Sequence, residues 1–281
     1  MTPRDGRLSA GDGGQLEDSA LDAVWRVLNR DEQIASLEEL RNGLNAERRA
    51  TLEAGPPFAL GFDTNATYRL GLGSGGADAL DYLRAKHQGP VVVPGQTIQE
   101  IWNNLLSAVE PKAKRLRKKF EELEQEVHAI GQDLGASGLR AREAIDSLLQ
   151  SHGEWIDPKS QSVFDETLDV LAAVGTCSYV PRARFKPLAE IRKSTKTPPG
   201  FQDGVGYGDF FVWADFLYGV ALAKPDPFDA VVLVTNDVKS DWSRNGVTHP
   251  VLVAEACAVG GVPFRLWTLA EFHAFAKVFS R

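Results

Sequence analysis

The chain has 281 residues, a formal net charge of -7 at neutral pH and 43% hydrophobic residues. That is ample apolar material for one large domain, with or without insertions, and it excludes a chain drawn to nucleic acid by its overall charge. Any such binding must come from local basic patches or from cations in an acidic pocket.

Residues 1–15, rich in Gly, Asp and Ser, read as a disordered tail without the apolar core of a signal peptide. Residues 16–56 read as a helical extension. In it Leu21, Val24, Trp25 and Leu28 form one apolar stripe and Leu37, Leu40 and Leu44 another, each suited to pack on the main body or on another subunit. "PPFALGFD" predicts a buried strand ending at Asp63, residues 78–88 a helix, and "GPVVVPGQT" (89–97) a second buried strand. A long amphipathic helical stretch follows, and the block 104–175 reads as a helical insertion. Residues 176–208 look like a loop, dense in Pro and Gly at "TPPGFQDGVGYG". A helix is expected over 209–223, and "DAVVLVTND" (229–237) is the clearest strand in the chain. A helix in "PVLVAEACAVGG", a strand in "VPFRLWT" and a closing helix in "LAEFHAFAKVF" complete the pattern. Apolar strands alternating with helices predict an α/β domain over 57–281, with a parallel sheet covered on both faces. No apolar run is long enough to span a bilayer. Cys177 and Cys257, far apart in sequence, read as buried reduced thiols, in keeping with a cytoplasmic setting.

Acids stand at four suggestive places. Asp63 ends the first strand, Glu100 opens the helix after the second, Asp209 opens the helix in "GYGDFFVW", and Asp237 ends the strong strand. Functional groups in open parallel sheets gather at the carboxyl ends of strands, so carboxylates distant in sequence would converge there. Mg2+ and Mn2+ prefer oxygen ligands, and clustered carboxylates without cations repel one another. Each acid also has an ordinary structural use. Asp63 suits an Asx-turn or helix cap, Asp209 a helix N-cap, Glu100 a first-turn acid and Asp237 a strand terminator. Their recurrence on one scaffold favours a shared site. Of two basic stretches, "PKAKRLRKKFEE" (111–122) fits a solvated helix face or a phosphate-tracking arm. "PRARFKPLAEIRKSTK" (181–196) offers Arg184, Lys186 and Arg192 as phosphate contacts. Trp213 and Trp242, near the acids, fit core packing better than base stacking.

With these residues in view, the chain resembles the PIN-domain (PIN-like) nucleases. "GFDTNATYRL" resembles the family's opening strand with its Asp-x-Asn motif, and "VVVPGQTIQEIWNN" the second strand and the helix carrying a Glu. "PPGFQDGVGYGDFFVWADFL" and "VVLVTNDVKSDW" resemble the third and fourth acidic motifs. The resemblance spans roughly residues 58–275 outside the insertion. It implies a three-layer α/β/α sandwich around a central parallel sheet, to which the N-terminal helices and the helical insertion are additions. It also implies a Mg2+ or Mn2+ site that hydrolyses phosphodiesters, in RNA more often than in single-stranded DNA. Carried over, the catalytic and metal-binding acids are Asp63, Glu100, Asp209 and Asp237, with Asp203 and Asp241 as secondary ligands. Asn65 or Asn236 would orient a ligand or phosphate, and Lys239, near Asp237, would contact a phosphate. Gln202 stands where a PIN-like subgroup with this "PPG-x-x-D…GD-x-x-x-W" form of the third motif often has Lys, and the spacer "GVGY" is short, which weakens the case for Asp203 more than for Asp209.

A toxin–antitoxin or defence setting is an expectation of the resemblance alone. The N-terminal helices or the insertion would then offer surfaces for a protein partner or a second copy. Two other readings stand beside the nuclease: a catalytically silent PIN-like scaffold that binds nucleic acid or protein, and a haloacid-dehalogenase-type phosphatase. The scaffold would be expected to lack acids that are present here. The phosphatase needs Asp where Asn65 stands.

Overall fold

The computed structural model describes residues 10–45, 57–109, 158–237 and 239–279, together with 118, 119, 122, 123, 125–127, 135, 137, 138, 140, 143 and 144. At its centre is a parallel sheet of β1 (Ala59–Phe62), β2 (Val91–Pro94), β3 (Gly175–Ser178), β4 (Val231–Val234) and β7 (Phe264–Trp267), in the order β3-β2-β1-β4-β7. The short β5 (Ser243–Arg244) and β6 (Val247–Thr248) form an antiparallel pair outside it. β1, β2 and β4 are buried at every residue, as parallel strands roofed on both faces must be.

The pleat divides the core in two. Ala59, Val92, Val231, Leu233 and Phe264 join one apolar cluster with α1 (Ala10–Asn29), α7 (Arg182–Ser194), α8 (Gly208–Leu222) and α9 (Pro250–Gly260). Leu60, Phe62, Val91, Val93, Val232 and Val234 join the other with α3 (Thr64–Arg69), α4 (Gly76–Ala85), α6 (Pro158–Val174) and α10 (Leu269–Phe279). The result is a three-layer α/β/α sandwich. α5 (Gly95–Val109) follows β2 directly and packs against α3 and α8. α8 is apolar almost all round because it is enclosed, lying on β2 and β3 beneath α1 and α9. Its fit to the sheet depends on Gly61, where an added methyl would stand 2.4 Å from the Phe216 ring and 3.2 Å from the Val92 carbonyl. Gly61→Ala is therefore expected to cost about 1–3 kcal/mol in urea unfolding, since both neighbours are locked in the core.

The structure departs from the sequence expectations at several places. Residues 10–15, expected in the tail, already belong to α1, whose Val24 and Leu28 are core residues packed with the domain. Leu37, Leu40 and Leu44 are exposed rather than packed. α2 (Ser36–Leu44) turns Gly43 toward Val247, and packs on α9 and β6 through that side. The expected insertion does not reach 175, because α6 covers the sheet and leads into β3. The loop expected over 176–208 contains β3 and α7. β3 is not marked in the sequence because it is an edge strand and "GTCS" has too few apolar residues to show it. For the same reason Cys177 is exposed, and both cysteines are free thiols. Of the basic run, Lys112, Lys114, Arg115 and Arg117 lie outside the described residues, while Lys118 is exposed and pairs with Glu122 at 3.8 Å. Among the described residues no helix is long and apolar enough to cross a membrane.

Candidate active site

The parallel register of β1 and β4 sets Phe62 beside Val234 and so brings the two following loops together. Asp63 N–H donates to the Val234 carbonyl at 3.0 Å. Asp63 then caps α3, its Oδ1 accepting from Ala66 N–H at 2.6 Å, while the Thr235 hydroxyl donates to its Oδ2. Thr235 Oγ1 in turn accepts from Asp237 N–H at 2.9 Å. One threonine thus links the carboxylate of the first strand end to the loop that carries Asp237. Asp63 is 7% exposed. Burial pushes its carboxyl up to about 7, against the lowering effect of the Thr235 and Ala66 hydrogen bonds and with help from the charges of Asp237 and Asp209.

Asp209 lies in the first turn of α8, where the helix dipole favours an anion. Burial pushes its carboxyl up to about 6, against hydrogen bonding to Lys239, with Asp203 raising it further. Trp242 Nε1–H donates to Asp209 Oδ2 at 3.2 Å, so this tryptophan is a core residue that also orients a site acid. Lys239 ties the cluster together: its Nζ donates to Asp203 Oδ1 and to Asp209 Oδ2, each at 2.6 Å, and forms an ion pair with Asp237 Oδ2 at 2.9 Å. Burial works against the charge on Lys239, but the three carboxylates outweigh it and raise its pKa.

Glu100, in the second turn of α5, accepts from Thr64 Oγ1 at 2.6 Å and Gln96 Nε2 at 3.1 Å. Its Oε1 lies against Gly208, where an added methyl would come within 2.6 Å and displace the Glu100 carboxylate. Asp203, Asp209 and Asp237 therefore meet on one ammonium, Asp63 lies within their electrostatic reach, and Glu100 abuts the residue preceding Asp209.

The remaining candidates fall elsewhere. Asp241 is fully buried and serves its loop, with Oδ2 accepting from Gly200 N–H at 2.9 Å and Gln202 N–H at 3.4 Å. Gly200 adopts φ +87°, a left-handed turn that brings Asp203 beside Asp209. Asn236 Oδ1 accepts from Leu269 N–H at 3.2 Å, holding the start of α10 rather than facing a ligand. Asn65 is exposed on α3. Arg184 pairs with Asp22 at 2.7 Å over the Trp25 ring, and the exposed Lys186 stands 4.0 Å from Glu190. Arg192 is 3% exposed and donates to Glu255 and to the Leu28 and Pro198 carbonyls, so it is a core ion pair and not a phosphate contact.

Sequence reasoning missed Thr64, Gln96 and Thr235, which orient the acids, and Asp215, which orients Gln96. Asp215 is fully buried and binds Arg182 through both oxygens at 2.7 Å, Gln96 N–H at 2.8 Å and Val180 N–H at 2.8 Å. Its signal was a lone carboxylate inside the apolar "FFVWADFLYGVAL", which demands a buried partner.

Whether these residues suit a divalent cation can be judged from the donors. All are oxygens, the set that Mg2+ and Mn2+ prefer, and three of them already surround a cation, the Lys239 ammonium. As the side chains stand, no three His, Cys, Asp or Glu among the described residues are arranged to hold a metal ion. The donor chemistry fits; the ammonium takes the shared position.

A three-layer sandwich with carboxylates gathered past the strand ends defines a class of domain, and comparison names it. The family model described as "PIN like domain" matches residues 176–252, which run from β3 into α9 and include Asp203, Asp209, Asp237 and Lys239. The chain carries a PIN-like domain. No curated protein and no solved structure matches it.

Proposed function

We propose that the protein is a metal-dependent nuclease that hydrolyses phosphodiester bonds, in RNA in preference to single-stranded DNA, with Mg2+ or Mn2+ as its cofactor. PIN-like domains are generally nucleases, and one observation carries the reading to this chain: Asp203, Asp209 and Asp237 converge on a single cation with Asp63 beside them. Asp63, Glu100, Asp209 and Asp237 would hold the metal. When bound, it would supply an acidified water and offset the charge developing on the phosphate. Glu100, oriented by Thr64 and Gln96, positions the attacking water, whose oxygen adds to phosphorus as the P–O bond to the leaving nucleoside oxygen breaks. Lys239, in the middle of the acids, would offer its positive charge to a phosphate oxygen.

The test incubates purified protein with end-labelled RNA and single-stranded DNA in Mn2+, Mg2+ or EDTA. Cleavage of RNA with either metal and none in EDTA is expected; cleavage that survives EDTA refutes the reading, and a chain that binds RNA without cutting it is a scaffold. Because Asp63 holds a proton up to about 7, metal must displace that proton. Mn2+ affinity is accordingly expected to rise between about pH 6 and about pH 7.5, with proton release detectable by calorimetry in buffers of different ionisation enthalpy.

A further inference from the structure

Lys239 follows Asp237 by two residues in the loop after β4, and its side chain turns back into the acid cluster. Its backbone is fixed at both ends: Lys239 N–H donates to Asp237 Oδ1 at 2.8 Å, and its carbonyl accepts from Trp242 N–H at 3.0 Å. Its ammonium meets three separate carboxylates, donating to Asp203 and Asp209 and forming an ion pair with Asp237. The loop carrying Asp203 is tied to the same segment, because Asp241 accepts from the Gly200 and Gln202 amides.

The Lys239 nitrogen stands 2.6 to 2.9 Å from one oxygen of each acid. A divalent ion bound to those oxygens would sit about 2.1 Å from them, in the space the ammonium fills. A two-ion nuclease site needs two positions roughly 4 Å apart, both fed by shared carboxylates. Here one is taken. The ammonium faces Asp203, Asp209 and Asp237, while Asp63, within electrostatic reach of Asp209 and Asp237, and Glu100, against the residue before Asp209, are the further acids that would hold a metal.

We propose that this site takes a single divalent cation and that the Lys239 ammonium fills the second cation position, held there by Asp203 as a positioning residue. This rests on the metal-nuclease reading above. It assigns Asp203 to the lysine and not to metal. A tethered ammonium keeps three carboxylates together when no metal is bound, which they would otherwise oppose. It offers a phosphate oxygen one positive charge in place of a second Lewis acid.

The experiment measures Mn2+ stoichiometry on the full chain by calorimetry and electron paramagnetic resonance, for the native protein, Lys239→Met, Lys239→Gln and Lys239→Arg. The native chain and Lys239→Arg are expected to bind one magnetically isolated Mn2+. Lys239→Met is expected to bind a spin-coupled pair, with a larger Mn2+-dependent rise in Tm than the native chain. If circular dichroism shows that Lys239→Met is unfolded, Lys239→Gln carries the same expectation. A spin-coupled pair in the native chain, or one ion in the neutral variants, overturns the assignment and leaves the nuclease reading intact. No Mn2+ in any chain overturns both.

Discussion

Asp63→Asn and Asp237→Asn are each expected to lower kcat/KM for Mn2+-dependent RNA cleavage by more than about 100-fold. Losing an outer-shell partner of a metal ligand typically costs roughly 10–100-fold, and these acids are argued to be ligands themselves. Asp63 gives the sharper experiment because its effects on stability and activity have opposite signs. Its carboxyl is pushed from 3.8 up to about 7 by burial, so between those values the folded, metal-free chain binds more protons than the unfolded one. Stability is therefore lost as pH rises from about 4 to about 7, as a buried carboxylate is forced to ionise. The amide of an asparagine cannot ionise. Asp63→Asn should flatten this pH dependence and leave the metal-free protein at least as stable as the native one at about pH 7.5, while activity disappears. Thermal unfolding across pH, with EDTA present, measures the first effect and the cleavage assay the second. Loss of activity together with loss of stability would mean that Asp63 acts as a cap for α3 alone.

Glu255→Ala is expected to destabilise the fold by about 3–5 kcal/mol, the range for breaking a buried ion pair by removing one partner. Glu255 is fully buried in the apolar helix α9. Oε1 accepts from Arg192 at 2.7 Å and forms an ion pair with Arg30 at 2.6 Å, and Oε2 accepts from Arg192 at 3.1 Å and Trp213 Nε1–H at 2.8 Å. Its removal strands the 3% exposed Arg192 guanidinium, leaves the Trp213 indole N–H without this acceptor, and frees Arg30 at the end of α1. Arg192 also donates to the Pro198 carbonyl just before Gly200, so the damage reaches the turn that places Asp203. Glu255→Gln, which keeps an acceptor but removes the charge, should fall between the native chain and Glu255→Ala in urea unfolding. Equal stability of Glu255→Ala and the native chain would show that the arginines find other partners.

Fold and site were unevenly legible in the sequence. β1, β2 and β4 could be read because strands roofed on both faces need unbroken apolar runs, and "FALGF", "VVV" and "VVLV" supply them. α8 and α10 could be read from their apolar content. β3 could not, because an edge strand with exposed Thr176 and Cys177 carries no such run. α7 was obscured by its charges and by Pro187. The exposed leucines of α2 show the limit of periodicity: a stripe says which residues could pack together, and the neighbour decides which face does.

For the site, the sequence by itself determined the acids and their order, since Asp63, Asp209 and Asp237 stand at a strand end or helix start where local rules already place a carboxylate, and Glu100 stands early in the helix after β2. It also carried the lone charges of Asp215 and Glu255 inside apolar helices, each of which demands a partner without naming it. Tertiary structure alone decided who the partners are. Register between β1 and β4 joined Asp63 to Thr235, the fold of the loop at Gly200 brought Asp203 to Lys239, and packing turned Arg192 from a candidate phosphate contact into a core ion pair. The physical reason is that residue type and spacing set what a side chain can do within a few turns of its own chain. The charge it meets at a sequence separation of 30 to 63 depends on which backbone surfaces come together.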